Sequence, residues 1–349
     1  MTNPIQTGLL AYGMSGQVFH APFLNAHPGF ALRAVVERSR KQARQRYPDL
    51  RSYDAVDELL ADPAIELVVV NTPNDTHVEL THRALRAGKH VLLEKPVAPT
   101  VADMQQLWDV ARAVNRQVLA YQNRRWDSDF QSVRQVVASG QLGELAEVSF
   151  RFDRYKLAPS PKAFKEMPER PGSGLLYDLG PHLLDQALSL FGRPQATRLT
   201  TGRFRPGSRV DDYFTLQLHY PQGPLVTLSS GLVVARPLPA FVLHGTRGSY
   251  LKPRADVQEA QLLAGLAPQA AGYGLEPAEL AGELTLADAA GQLRPQTVPA
   301  PRGDYGGLFE AAYQTLRHGA PFPVREDELR WQLEILGQAA DAWTVGNPG

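Results

Sequence analysis

At 349 residues, 43% of them hydrophobic and 21% charged, the chain has a globular composition and length enough for two domains. Its 36 basic and 36 acidic residues cancel, so no overall field favours nucleic acid or a membrane surface as a partner. The absence of cysteine excludes disulfides, thiolate zinc sites and a cysteine nucleophile, and no apolar run or leader pattern indicates a membrane span or export, so a cytoplasmic enzyme is expected.

The chain opens with a short apolar strand, Thr7 to Tyr12, running into Gly13-Met14-Ser15-Gly16 and then a helix. A dinucleotide fingerprint asks for Gly-x-Gly-x-x-Gly at such a junction. Here Ala11 replaces the first glycine, while the glycine for pyrophosphate approach (Gly13) and the glycine for helix packing (Gly16) are present. The second strand, Phe30 to Val36, ends at Glu37, where an acid ordinarily accepts the ribose hydroxyls of NAD. Arg38, Ser39, Arg40 and Lys41 follow at once. Arg38 and Ser39 could face a 2′-phosphate, so the cofactor is NAD(P), with a slight lean to NADP. A third strand, Glu66 to Val70, leads into Asn71-Thr72-Pro73-Asn74 and a helix beginning near His77. Thr72, Pro73, Asn74 and His77 should border the nicotinamide half of the cofactor, although His77 reads better as a structural residue at the helix start than as a catalyst.

His90-Val-Leu-Leu-Glu94-Lys95-Pro96 is a buried parallel strand ending in a charged elbow. Ligands of open α/β sheets lie beyond the carboxyl ends of the strands, so Lys95 is placed for chemistry and Glu94 for the cofactor; an ion pair in solvent is the plain alternative. A helix from Val101 to Asn115 and a strand from Val118 to Gln122 complete the alternation of a doubly wound parallel sheet. Asn123 follows it as a cofactor candidate and Trp126 as a substrate candidate.

From Glu147 the pattern changes to period-two alternation, repeated at Ala196–Phe204, Tyr213–Tyr220, Leu225–Val234 and Phe241–Leu251. Strands in succession mark a second, α+β domain with a large, open, mostly antiparallel sheet. The boundary is expected near residue 124, giving domains 1–124 and 125–349. Arg154 and Tyr155 close the first of these strands and could border a polyhydroxylated substrate, whereas Lys156 reads as surface. The Ala-, Gly- and Pro-rich stretch from Ala264 to Glu283 reads as a mobile loop or insertion, and Glu326 to Trp343 as an amphipathic structural helix. Gly172-Ser-Gly174 introduces Asp178-Leu-Gly180-Pro-His182. Asp178 and His182 are four apart and share a helical face, with Pro181 suited to a first turn. A carboxylate beside an imidazole suits acid–base chemistry, a metal pair or a capped buried histidine equally.

The glycine turn, Thr72-Pro73-x-x-x-His77, Glu94-Lys95-Pro96 and Asp178-x-Gly180-x-His182 together resemble the Gfo/Idh/MocA family of NAD(P)-dependent oxidoreductases, over essentially the whole chain. Phe19-His20-Ala-Pro22 and the run Asn123 to Phe130 look closest to its scyllo-inositol dehydrogenase branch. The resemblance implies an N-terminal Rossmann domain, a C-terminal sheet that carries a homodimer or dimer-of-dimers interface, and catalytic roles for Lys95, Asp178 and His182 without a metal. It places Tyr305 near the pocket. The implied activity is hydride transfer between NAD(P) and a secondary alcohol or ketone of a cyclitol or sugar. A sugar aldehyde or ketone reductase using the same residues is the near alternative, and a non-catalytic NAD(P)-binding regulator the distant one; the joint presence of Lys95, Asp178 and His182 favours the enzyme.

Overall fold

The structure is a computed structural model describing residues 3–160, 166–170 and 172–344. The chain forms two compact units: residues 1–126, 257–274 and 304–326, and residues 127–256, 275–303 and 327–349. The boundary thus falls two residues beyond the expected one, and two later stretches assigned by sequence to the second domain belong to the first.

In the first unit six strands form a parallel sheet. They are β1 (Ile5–Leu9), β2 (Phe30–Val36), β3 (Arg51–Tyr53), β4 (Leu67–Val70), β5 (His90–Leu93) and β6 (Val118–Ala120). The order β3-β2-β1-β4-β5-β6 reverses direction of travel between β1 and β4, the point where such sheets open a crevice for a nucleotide. Strand β4 and the Val91–Leu93 part of β5 are apolar and fully buried, as expected of parallel strands covered on both faces. The connections carry α1 (Ala21–Ala26), α2 (Ala43–Arg46), α3 (Val56–Ala61), α4 (His77–Arg86) and α5 (Val101–Ala113).

Aromatic packing brings the later stretches back. Phe309 stacks on Phe23 at 5.3 Å with ring planes 4° apart, and Tyr273 and Tyr305 each contact Phe23 at 6.2 Å. All three of these partner rings are fully buried. Each such side chain contributes about 1.5–3 kcal/mol on burial, which outweighs chain continuity in deciding where the segment goes. Residues 264–274 therefore pack into the Rossmann unit, which corrects the mobile-loop half of the reading over these residues and leaves the insertion half standing. Tyr305 is likewise a core residue, its N–H donating to Gln258 Oε1 at 2.7 Å, which corrects its assignment to the substrate.

The second unit contains α6 (Ser128–Ser139), α7 (Gly174–Phe191) and nine strands among the described residues: β7 (Leu145–Arg151), β8 (Ala196–Arg203), β9 (Tyr213–His219), β10 (Leu225–Gly231), β11 (Phe241–Gly245), β12 (Gly248–Lys252), β13 (Gly282–Ala287), β14 (Leu293–Val298) and β15 (Asp341–Thr344). The sheet order is β14-β13-β12-β11-β7-β10-β9-β8-β15, antiparallel except at β7/β10 and β8/β15. The single strand expected over Phe241–Leu251 is a hairpin that turns between Gly245 and Gly248, two positions at which a Cβ would strike backbone. The expected terminal helix stops at Leu336, and the chain then adds β15 beside β8.

Alternate residues of these strands point into one core with Phe130, Val133 and Val136 of α6 and Leu175, Leu179, Leu183 and Leu184 of α7. The opposite face is mixed. One row across it runs Glu283, Leu251, Val242, Ser149, Thr227, Gln217, Arg198. The apolar half of the alternation is thus covered by the unit's own helices.

Candidate active site

In the first unit the candidate residues gather beyond the carboxyl ends of β1, β2, β4, β5 and β6. The glycine turn is tied to the end of β4 by Asn71, whose Oδ1 accepts from Ala11 N–H at 3.1 Å while its Nδ2 donates to Ala11 O at 2.9 Å. A Cβ on Gly16 would lie 2.4 Å from Ala11 O, so only glycine lets the helix start this close to the turn. A Cβ on Gly13 would meet nothing within 4 Å. Exposed Gly13 and Met14 therefore leave open backbone where a pyrophosphate approaches, and the cradle fits a dinucleotide.

The elbow after β5 is wired to that turn. Glu94 Oε1 accepts from the Ser15 hydroxyl at 2.6 Å and lies 2.9 Å from His20 Nε2. Its Oε2 lies 3.3 Å from Lys95 N–H, so the carboxylate orients the residue beside it. Burial pushes the Glu94 carboxyl up, but the His20 and Ser15 donors and the nearby Lys95 charge prevail and hold it at about 2. His20 is itself fully buried against Tyr121, ring centroids 4.3 Å apart. Sequence reading marked His20 only as part of a branch motif; nothing local in the sequence announces its contact with Glu94, 74 residues on.

His77 is fully buried, with Nδ1 2.8 Å from Pro96 O and Nε2 3.0 Å from Thr72 O. The ring staples the loop after β4 to the elbow after β5, which takes it out of the set of direct cofactor contacts and gives it the structural role the sequence favoured. Burial lowers its pKa, opposed by the two carbonyls and the Glu94 charge. Thr72 bonds to Thr76 at 2.6 Å, while Pro73 is exposed and Asn74 half-buried at the loop tip. Asn123 is buried at the end of β6. The Trp126 carbonyl accepts from Gln258 and from Asp304 N–H, and its indole packs over Gly307, so much of Trp126 serves the fold.

Glu37 corrects the expected ribose contact. Its Oε1 accepts from the N–H groups of Gln42 and Ala43 at 2.7 and 3.0 Å, its Oε2 accepts from Ser52 Oγ at 2.8 Å, and the residue is buried. Both oxygens are committed to the chain's own donors. Arg38 and Ser39, immediately after it, are exposed.

The second unit holds Asp178 and His182 one turn apart on α7, Asp178 half-buried and His182 buried at 6% exposure. Pro181 lies well inside this helix rather than in its first turn; its carbonyl accepts from Gln332 Nε2 at 2.8 Å. Arg154 and Lys156 line a cavity together with Asp178, whereas Tyr155 is 61% exposed.

A glycine-turned parallel sheet followed by an open sheet with an acid–imidazole helix defines a dinucleotide-dependent oxidoreductase. Residues 5–122 match the oxidoreductase family with an NAD-binding Rossmann fold, and residues 130–251 match the GFO/IDH/MocA C-terminal domain. An uncharacterized oxidoreductase of Schizosaccharomyces pombe is 40% identical over 96% of both chains. The scyllo-inositol 2-dehydrogenase (NADP(+)) of Bacillus subtilis is 33% identical, covering 97% of this chain and 93% of its own. The solved structure of an oxidoreductase from Bacillus cereus superposes with a TM-score of 0.87 at 33% identity, over 95% of this chain and 94% of that one. The chain belongs to the Gfo/Idh/MocA family of oxidoreductases.

Proposed function

We propose that the protein is an NADP-dependent dehydrogenase that interconverts a secondary alcohol of a cyclitol or sugar with its ketone. The observation that carries this reading is the Asp178–His182 pair on one face of α7, in a chain whose Lys95 stands at the end of a buried strand. His182 takes the hydroxyl proton, Asp178 orients the imidazole and favours its cationic form, and the Lys95 ammonium stabilises the oxygen as its charge develops. The bound nicotinamide supplies the hydride acceptor, or the donor in reverse. Gly13, Met14, Ser15 and Gly16 would hold its pyrophosphate, and Thr72, Asn74, Glu94 and Asn123 its nicotinamide half. Preference for NADP is supported by the inward commitment of Glu37 and the exposure of Arg38 and Ser39. The Bacillus subtilis relative, named as an NADP(+) enzyme of scyllo-inositol, supports the same class.

Arg154 and Tyr155 are proposed to contact the polyol. We also propose a cytoplasmic homo-oligomer, a dimer or dimer of dimers, formed through the mixed sheet face opposite α6 and α7. A screen of the purified protein against inositols, aldoses and sugar acids with both cofactors tests the reading. Turnover of a cyclitol or sugar with NADP is expected, and tight cofactor binding without turnover of any polyol would overturn it.

A further inference from the structure

The helix that carries Asp178 and His182 is not capped by its own N-cap residue. Ser173 makes no side-chain bond to the first turn. The donors go instead to the β8–β9 connection: Leu176 N–H donates to Asp211 Oδ2 at 2.6 Å, and Leu175 N–H to the main-chain oxygen of Asp211 at 3.0 Å. Gly174 makes the room. Its φ is +83°, and a Cβ there would stand 2.1 Å from Asp211 Oδ1. The second glycine of the Gly172-Ser-Gly174 run is therefore the notch that admits a distant carboxylate to the start of the helix.

Asp211 and Asp178 also face one space. A cavity of about 200 Å³ is lined by Gly174, Leu175 and Asp178 from α7, by Asp211, and by Arg154 and Lys156 beyond the end of β7. The remaining charges of this wall pair among themselves. Arg205 meets Glu166 at 2.9 Å and Asp212 at 3.3 Å, and Asp212 also accepts the N–H groups of Phe204 and Arg205. Tyr177, on the helix side, has its hydroxyl pKa raised by burial and by the Asp211 charge. Burial pushes the Asp211 carboxyl up to about 6, and the Asp212 charge adds to this while the Leu176 and Leu175 N–H groups oppose it. It therefore titrates where an imidazole does.

We propose that Asp211 is a positioning residue for the Asp178–His182 pair, fixing the first turn of α7 as its distant cap and setting, by its charge in the shared cavity, the proton affinity of that pair. This rests on the reading of Asp178 and His182 as the acid–base pair. Asp211→Asn keeps an oxygen to accept the Leu176 N–H but removes the charge. Asp211→Ala removes both. Titrating His182 by NMR in the substrate-free protein separates this proposal from the wider reading, because it needs no turnover. The His182 midpoint is expected to fall by about half a pH unit in Asp211→Asn, since a nearby anion favours the imidazolium. The melting temperature should stay close to wild type in Asp211→Asn and drop in Asp211→Ala. With a substrate found, the acid limb of the kcat profile should move to lower pH by a similar amount in Asp211→Asn, with its slope unchanged. A His182 titration and kcat profile that superimpose on wild type in Asp211→Asn would overturn the proposal. Failure of the wild type to turn over any polyol would instead remove the acid–base reading and leave the His182 titration to be judged by itself.

Discussion

Cofactor choice should turn on Arg38 and not on Glu37, and the geometry fixes what each substitution does. For Glu37 to accept ribose hydroxyls it would have to release two backbone N–H groups and the Ser52 hydroxyl, which it now satisfies at 2.7, 3.0 and 2.8 Å. Leaving buried donors of this kind unmade costs about 1–3 kcal/mol each, more than a pair of exposed ribose hydroxyls would return. Arg38 lies outside that network and can offer a charge-assisted bond to a 2′-phosphate. Removing it with Arg38→Ala should weaken NADP by about 1.5–3 kcal/mol, a loss of roughly 10- to 150-fold in affinity, while NAD changes by less than about twofold. Glu37→Gln places an amide NH₂ against donors; it should lower the melting temperature and leave NAD affinity nearly unchanged. Fluorescence titrations of NADPH and NADH against the wild type and both variants read this directly. Equal losses for the two cofactors in Arg38→Ala, or a Glu37→Gln variant that keeps its melting temperature and loses NAD, would refute the reasoning.

The parts of this protein that were legible in the sequence are those decided locally. Strand β2 runs from Phe30 to Val36, the limits its apolar run sets in the sequence, because a buried strand's apolar run and its limits are one fact. The glycine turn and the elbow at Glu94 were visible because turn chemistry is written in adjacent residues. Asp178 and His182 were placed on one helix by spacing alone. What escaped is set by contacts between residues far apart in the chain. Tyr305 looks like a pocket residue until Phe23 is brought beside it, and Glu37 reads as a ribose ligand until Ser52 and the start of α2 take its oxygens. The cap on α7 comes from a residue 35 positions beyond the N–H that it accepts, so no capping signal near Ser173 could have shown it. Pro181 was read as a helix start because a proline inside a helix normally costs about 3 kcal/mol, yet the helix runs through it.

Lys95→Ala and His182→Ala should each lower kcat by about 100-fold or more with cofactor affinity retained, and near-normal turnover in either would remove it from the catalytic set. Light scattering should report an oligomer at micromolar concentration; a monomer would count against an interface on the open sheet face. Gly13→Ala should keep the wild-type melting temperature and lose cofactor binding, because its Cβ enters open space on the cradle, whereas Gly16→Ala should lose both, because its Cβ meets Ala11 O at 2.4 Å. Stability in acid should depend on Glu94. Its folded-state carboxyl is held at about 2 against an ordinary value of 4.5, so ionised Glu94 stabilises the fold fully above pH 4.5, and that contribution is lost as the pH falls through about 2. A shift of that size corresponds to about 3 kcal/mol at neutral pH. Glu94→Gln cannot titrate and keeps an oxygen for Ser15 and His20, so its melting temperature should lie below wild type at pH 7 and converge on it as the pH is lowered from 5 toward 3. A gap that stays constant across that range would show that the carboxylate is not held ionised by His20 and Ser15, and the wiring of the elbow to the glycine turn would lose its electrostatic basis.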